Sequence, residues 1–131
     1  MRSGAFAQVE RRKLPDGSDF ALKTVLRSVL PGRGPSGDAA LCAADAAREA
    51  SLLRRVVHVN IVRCVDSLLE PPPCSLTLEW CDTDVARLLR SGPLRLAAAK
   101  ALFEDLLRGL AACAEKGLLH LVRRGLLAHR L

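Results

Sequence analysis

Apolar and polar positions alternate early in this chain. In residues 5–13 (AFAQVERRK), Phe6 takes one face while Ala7 and Val9 share the other, a period-two pattern that predicts a strand. The segment LPDGS, 14–18, sets φ with Pro15 and offers positive φ at Gly17, so it predicts a turn. Residues 19–26 (DFALKTVL) predict a second strand, which makes 5–26 a hairpin. SVLPGRGPSGD, 28–38, is rich in Gly, Pro and Ser and predicts a loop. From 39 to 57 the period lengthens to that of a helix, with Asp38 as its N-cap. Residues 61–69 and 75–80 predict two more strands, joined across Pro71, Pro72 and Pro73. A short helix over 84–90 stops at Gly92 and Pro93. A long helix over 95–116 sets Leu102, Phe103, Leu106, Leu110 and Cys113 on one face and ends at Gly117. Hairpin, helix, two strands and then helices predict an α+β fold with an antiparallel sheet, not a βαβα alternation.

One position departs from this patterning. In AAREASLLRRVVHVNIV, 46–62, Glu49 shares a helical face with Leu52, Leu53 and Val56. A carboxylate on a helix ordinarily pairs with a cation three or four residues away. Asp45, Ala46, Leu52 and Leu53 supply none. Glu49 therefore either reaches solvent at the edge of the face or meets a cation from elsewhere in the fold.

Composition narrows the function classes. Half of the 131 residues are hydrophobic, which excludes a disordered tail and fits one small domain or part of a larger one. With three Phe, one Trp and no Tyr, packing rests on Leu, Ala and Val. The net charge of +6 suits an acidic partner. Yet the cations lie in short groups (Arg11, Arg12 and Lys13; Arg54 and Arg55; Arg123 and Arg124) without interleaved aromatics, which argues against nucleic-acid binding. The five cysteines are odd in number and form no CxxC, which argues against a disulfide framework and a zinc site and suits a reducing compartment. No apolar signal-peptide core opens the chain. The most apolar long segment, 94–119, carries Lys100, Glu104, Asp105, Arg108, Glu115 and Lys116, which argues against a membrane span. The expectation is a soluble chain of the cytoplasm or nucleus.

Four landmarks in one order resemble the first part of a protein kinase domain. GAFAQV, 4–9, resembles the end of a glycine-rich loop that covers ATP phosphates. FALK, 20–23, resembles the strand that carries the phosphate-binding lysine. AREASLL, 47–53, followed by HVNIV, 58–62, resembles the regulatory helix and the loop behind it. LTLEWCDTD, 76–84, resembles the last strand and the hinge. The helix and hinge wording is closest to cyclin-dependent-type Ser/Thr kinases.

The resemblance implies an N-lobe-like region over 1–80, a hinge over 81–84, a partial C-lobe over 85–120 and a divergent tail over 121–131. It implies ATP as cofactor, bound by Gly4, Val9, Ala21, Lys23, Leu78, Glu79, Cys81 and Asp84. Leu78 is then the gatekeeper, the backbone of Glu79 and Cys81 meets adenine, and Asp84 accepts from a ribose hydroxyl. Ordinary core packing explains Val9 and Leu78 equally well, and a helix N-cap explains Asp84. Lys23 becomes the expected partner of Glu49, because a flexible lysine must be aimed to neutralise phosphate charge. A cyclin-like activator is expected on helix 39–57.

The pattern also departs from the family. Arg2 stands at the loop's first glycine and Ala7 at its third. His120 is followed by Leu121 and Val122 where the family has Arg and Asp, and no Asp-Phe-Gly occurs. The expected magnesium ligands and the proton acceptor for the substrate hydroxyl are therefore missing from these residues. The expectation is a truncated kinase, inactive as written, or else a catalytically dead fragment that works by binding. The tail LVRRGLLAHRL, 121–131, is expected to be read-through or a short interaction segment.

Overall fold

The computed structural model describes residues 2–3, 6–27, 36–70 and 72–118. The chain forms two compact units, Met1–Arg54 with Cys64–Trp80, and Arg55–Arg63 with Cys81–Leu131.

The first unit is a five-stranded sheet with one helix. The strands are β1 (Arg2–Ser3), β2 (Ala7–Lys13), β3 (Asp19–Val25), β4 (Cys64–Leu68) and β5 (Ser75–Glu79), in the order β1-β2-β3-β5-β4. Every neighbouring pair is antiparallel. The β2–β3 turn closes because Leu14 N donates to Ser18 O at 2.8 Å and Gly17 N to Leu14 O at 2.9 Å. Asp16 Oδ1 accepts from both the amide and the hydroxyl of Ser18. Gly17 takes φ of 84°, a region that costs glycine nothing. Leu76 is fully buried on β5, between β3 and β4, with Cys74 and Ser75 buried beside it.

Helix α1 (Ala39–Arg55) starts where Asp38 Oδ1 accepts from Leu41 N at 3.0 Å. Its buried stripe is Cys42, Ala46 and Ala50, spaced one turn apart. The covered side is thus centred on small residues rather than on the leucines: Leu52, expected to share Glu49's apolar face, is exposed. The strand expected over 61–69 is shorter, because Ile61 N donates to His58 O at 3.0 Å and closes a turn before Cys64.

In the second unit, α2 (Val85–Arg90) begins on Asp84, whose carboxylate accepts from Arg87 N at 2.7 Å. Helix α3 (Leu96–Glu115) ends at Gly117, with φ of 66°, where Leu118 N donates to Cys113 O and Gly117 N to Ala114 O. The loop at Asn60 lies directly against α3: a methyl group on Gly109 would come within 3.0 Å of Asn60 O. Arg55 Nη2 donates to Lys116 O at 3.2 Å. The apolar face expected for this helix divides in two. Leu102, Leu106 and Cys113 are partly covered around the buried Gly109. Phe103 and Leu110 instead lie on a second, exposed face with Leu96 and Leu107.

Candidate functional site

Register fixes which side chains share a sheet face, since directly opposed residues project to the same side. Lys23 opposes Val9 on one neighbour and Leu76 on the other. Ala21 opposes Arg11 and Leu78. Val9, Ala21, Lys23, Leu76 and Leu78 therefore form one continuous surface on β2, β3 and β5. Ala21 and Leu78 are buried and Val9 is half-buried. Glu79 opposes Phe20 and belongs to the opposite face, with its backbone at the end of β5.

Within this surface Lys23 is aimed by α1. Its Nζ donates to both carboxylate oxygens of Glu49, at 2.7 Å each. The two side chains are 20% and 22% exposed, neither dry nor fully solvated. Attraction between unit charges about 4 Å apart is about 4 kcal/mol at an effective dielectric near 20. Desolvation cancels much of that, so the pair is worth more for direction than for stability. The cation that Glu49 lacks three or four residues away on its own helix is supplied by β3. α1 is also tied to β4, where Arg54 Nη2 donates to Ser67 Oγ at 3.1 Å.

The other expected site residues are distributed as follows. Gly4 lies outside the described residues. Cys81, half-buried, and Asp84 belong to the second unit, where Asp84 caps α2. Residues 28–35 of the expected loop, Pro71 of the proline turn, and the tail with His120 likewise lie outside the described residues. Among the described residues no three His, Cys, Asp or Glu side chains gather as a metal site. Among the described residues no helix is long and apolar enough to cross a membrane.

A second constellation on the same sheet has no counterpart in the sequence reading. Arg11 pairs with Asp19 across the hairpin, and its guanidinium lies 5.0 Å from the centre of the Trp80 ring. Lys13 Nζ stands 3.4 Å from the other Asp19 oxygen, an ion-pair distance without hydrogen-bond geometry. The Arg11 hydrogen bond is the main cause that holds the Asp19 carboxyl below its ordinary range; burial opposes it, and the Arg11 and Lys13 charges add to it. The Ser18 hydroxyl, and then its amide, do the same for Asp16. Burial pushes the Cys64 thiol up from its ordinary range. Only a β2–β3–β5 register could have brought Arg11 to Trp80, and alternation within each strand does not specify which strands are neighbours.

An antiparallel sheet whose central lysine is held by a helix carboxylate, followed by helices, is the architecture of a kinase N-lobe and the start of its C-lobe. The sequence profile of the family described as Protein kinase domain matches residues 2–121. This chain belongs to the protein kinase domain family.

Proposed function

We propose that the chain binds ATP in the manner of a cyclin-dependent-type Ser/Thr protein kinase. The observation that carries this reading is the two-pronged Lys23–Glu49 pair at 2.7 Å. A lysine fixed in this way presents a point charge to the α- and β-phosphates. The apolar surface of Val9, Ala21 and Leu78 beside it suits a flat heterocycle, and the backbone of Glu79 has the polar groups for the adenine edge. The residues fit the phosphate and base of ATP, and no magnesium ligand is assigned. The order of segments we assign is N-lobe-like over 1–80, hinge over 81–84, partial C-lobe over 85–120 and divergent tail over 121–131.

For the 131-residue chain by itself we assign nucleotide binding without phosphoryl transfer. Loss of a general base alone costs about 10²- to 10⁴-fold in rate, and Leu121 and Val122 stand where the family has Arg and Asp. A second reading, a binding module that recruits a cyclin-like partner through α1, draws on the exposed Leu52 of that helix. Thermal unfolding with and without ATP tests the first reading. ATP should raise the unfolding temperature of the wild type, and Lys23→Met should remove the shift. The same samples with magnesium and a protein substrate should transfer no phosphate. No ATP-dependent shift in the wild type would leave the binding-module reading, whereas magnesium-dependent phosphorylation would refute the assigned inactivity.

A further inference from the structure

We infer that Arg11, held by Asp19, is a positioning residue that clamps the Trp80 indole and so sets the backbone at the end of β5. The inference rests on the nucleotide reading above for its functional half. Arg11 and Asp19 sit on adjacent strands of the β2–β3 hairpin, whereas Trp80 follows the last residue of β5. β3 lies between β2 and β5, so the guanidinium reaches over β3 to the indole. The carboxylate of Asp19 holds the guanidinium, whose carbon lies over the indole 5.0 Å from the ring centroid. Asp19 opposes Lys13, and Lys13 adds a second cation to the same carboxylate, so this anchor lies within the hairpin.

The physical content is a restraint on Trp80. An unrestrained indole at the end of a strand samples several rotamers, and the backbone beside it follows. A cation over the ring restricts that freedom, and arginine suits the place better than lysine because its several donors keep Asp19 while the guanidinium stays over the ring. Glu79, whose backbone is assigned to the adenine edge, is the residue immediately before Trp80. Loosening the indole should therefore weaken adenine binding through the Glu79 backbone. A partly exposed cation–π contact supports an effect of about 2- to 5-fold in affinity, and the Arg11 side chain is 54% exposed.

Trp80 is the only tryptophan and the chain has no tyrosine, so its intrinsic emission reports this indole alone. The full 131-residue chain is compared as wild type, Arg11→Met, Arg11→Lys and Asp19→Asn. Arg12→Met serves as control, because Arg12 pairs with Glu10 on the opposite face of β2. Two quantities are measured, acrylamide quenching of Trp80 emission and ATP affinity from the concentration dependence of thermal stabilisation. Arg11→Met should raise quenching and weaken ATP by about 2- to 5-fold. Arg11→Lys should recover part of both, and Arg12→Met should match the wild type. If Arg11→Met fails to fold, Asp19→Asn, which is isosteric and removes the carboxylate charge that holds the guanidinium, should show the same two changes in smaller measure. Unchanged quenching, or an equal change in Arg12→Met, overturns the clamp whether or not nucleotide binds. Raised quenching with unchanged ATP affinity overturns the positioning role. A wild type that takes up no ATP refutes the nucleotide reading and, with it, that role; raised quenching in Arg11→Met then still upholds the clamp itself.

Discussion

Asp16 and Asp19 lie at the same hairpin, and different neighbours hold both below the ordinary carboxylate range. Asp16 accepts from the hydroxyl and amide of Ser18, and Asp19 from Arg11. A carboxyl whose folded-state pKa is depressed binds protons less readily folded than unfolded. Its stabilisation is complete above the unfolded value and is lost as pH falls through the lower folded value. Hairpin stability should therefore hold through neutral pH and decline in acid, starting in the range in which a peptide of residues 14–19 titrates and continuing down through the lower folded values. Carboxyl carbon chemical shifts followed against pH check this. Titration of either group at or above its peptide value would refute it, and Asp16→Asn should remove one of the two acid-dependent contributions. The residue scale also shows what could be read in advance. Glu49 is conspicuous because its own helix offers no cation three or four residues away, and that mismatch points outward to Lys23. Arg11 carried no such signal. It lies among three consecutive cations, and nothing in that run distinguishes the one that reaches an indole from those that face solvent or Glu10.

At the scale of elements, periodicity located α1 and α3 but did not decide which faces were covered. α1 turns small residues inward, because Ala46 and Ala50 let a helix approach closely while Leu52 remains at the edge. α3 is apolar around more than one side, so counting apolar positions could not separate Leu102 and Leu106 from Phe103 and Leu110. The deciding residue was Gly109, a poor helix former that the period treats as neutral. It marks the side where the Asn60 backbone comes close. Gly109→Ala gains helix propensity of up to about 1 kcal/mol but needs the Asn60 loop to yield by a few tenths of an ångström. Gly109→Val removes that ambiguity, because two further methyl groups meet Asn60 and Ile61. We expect it to destabilise the chain by about 1–3 kcal/mol, the usual range for overpacking. Urea unfolding should show the midpoint fall with the slope unchanged. A Gly109→Val protein as stable as the wild type would mean that the loop does not rest on α3.

For the whole chain, the deciding competition is between exposed apolar surface and net charge. Phe103 is 59% and Leu107 48% exposed on α3, with Leu96 and Leu110 along the same side. Complete burial of such a side chain is worth about 1.5–3 kcal/mol, so partial exposure of several adjacent ones leaves a drive to associate comparable with the net stability of a small domain. The charge of +6 opposes association by mutual repulsion. Repulsion between surface charges weakens as the screening length drops from about 10 Å at 0.1 M salt to about 3 Å at 1 M, whereas the apolar drive does not. The two terms therefore separate with ionic strength. The 131-residue chain should bind a hydrophobic dye at low salt and self-associate increasingly as salt rises. Phe103→Lys with Leu107→Glu should lower both effects while leaving helix content unchanged, because neither side chain lies on the covered face of α3 with Gly109. Sedimentation velocity across a salt series, with dye emission measured on the same samples, distinguishes the outcomes. A single slow-sedimenting species at every salt concentration, without dye binding, would show that this face is not available to solvent. Association that weakens with salt would instead assign the contact to ion pairs such as those of Glu104 and Arg108.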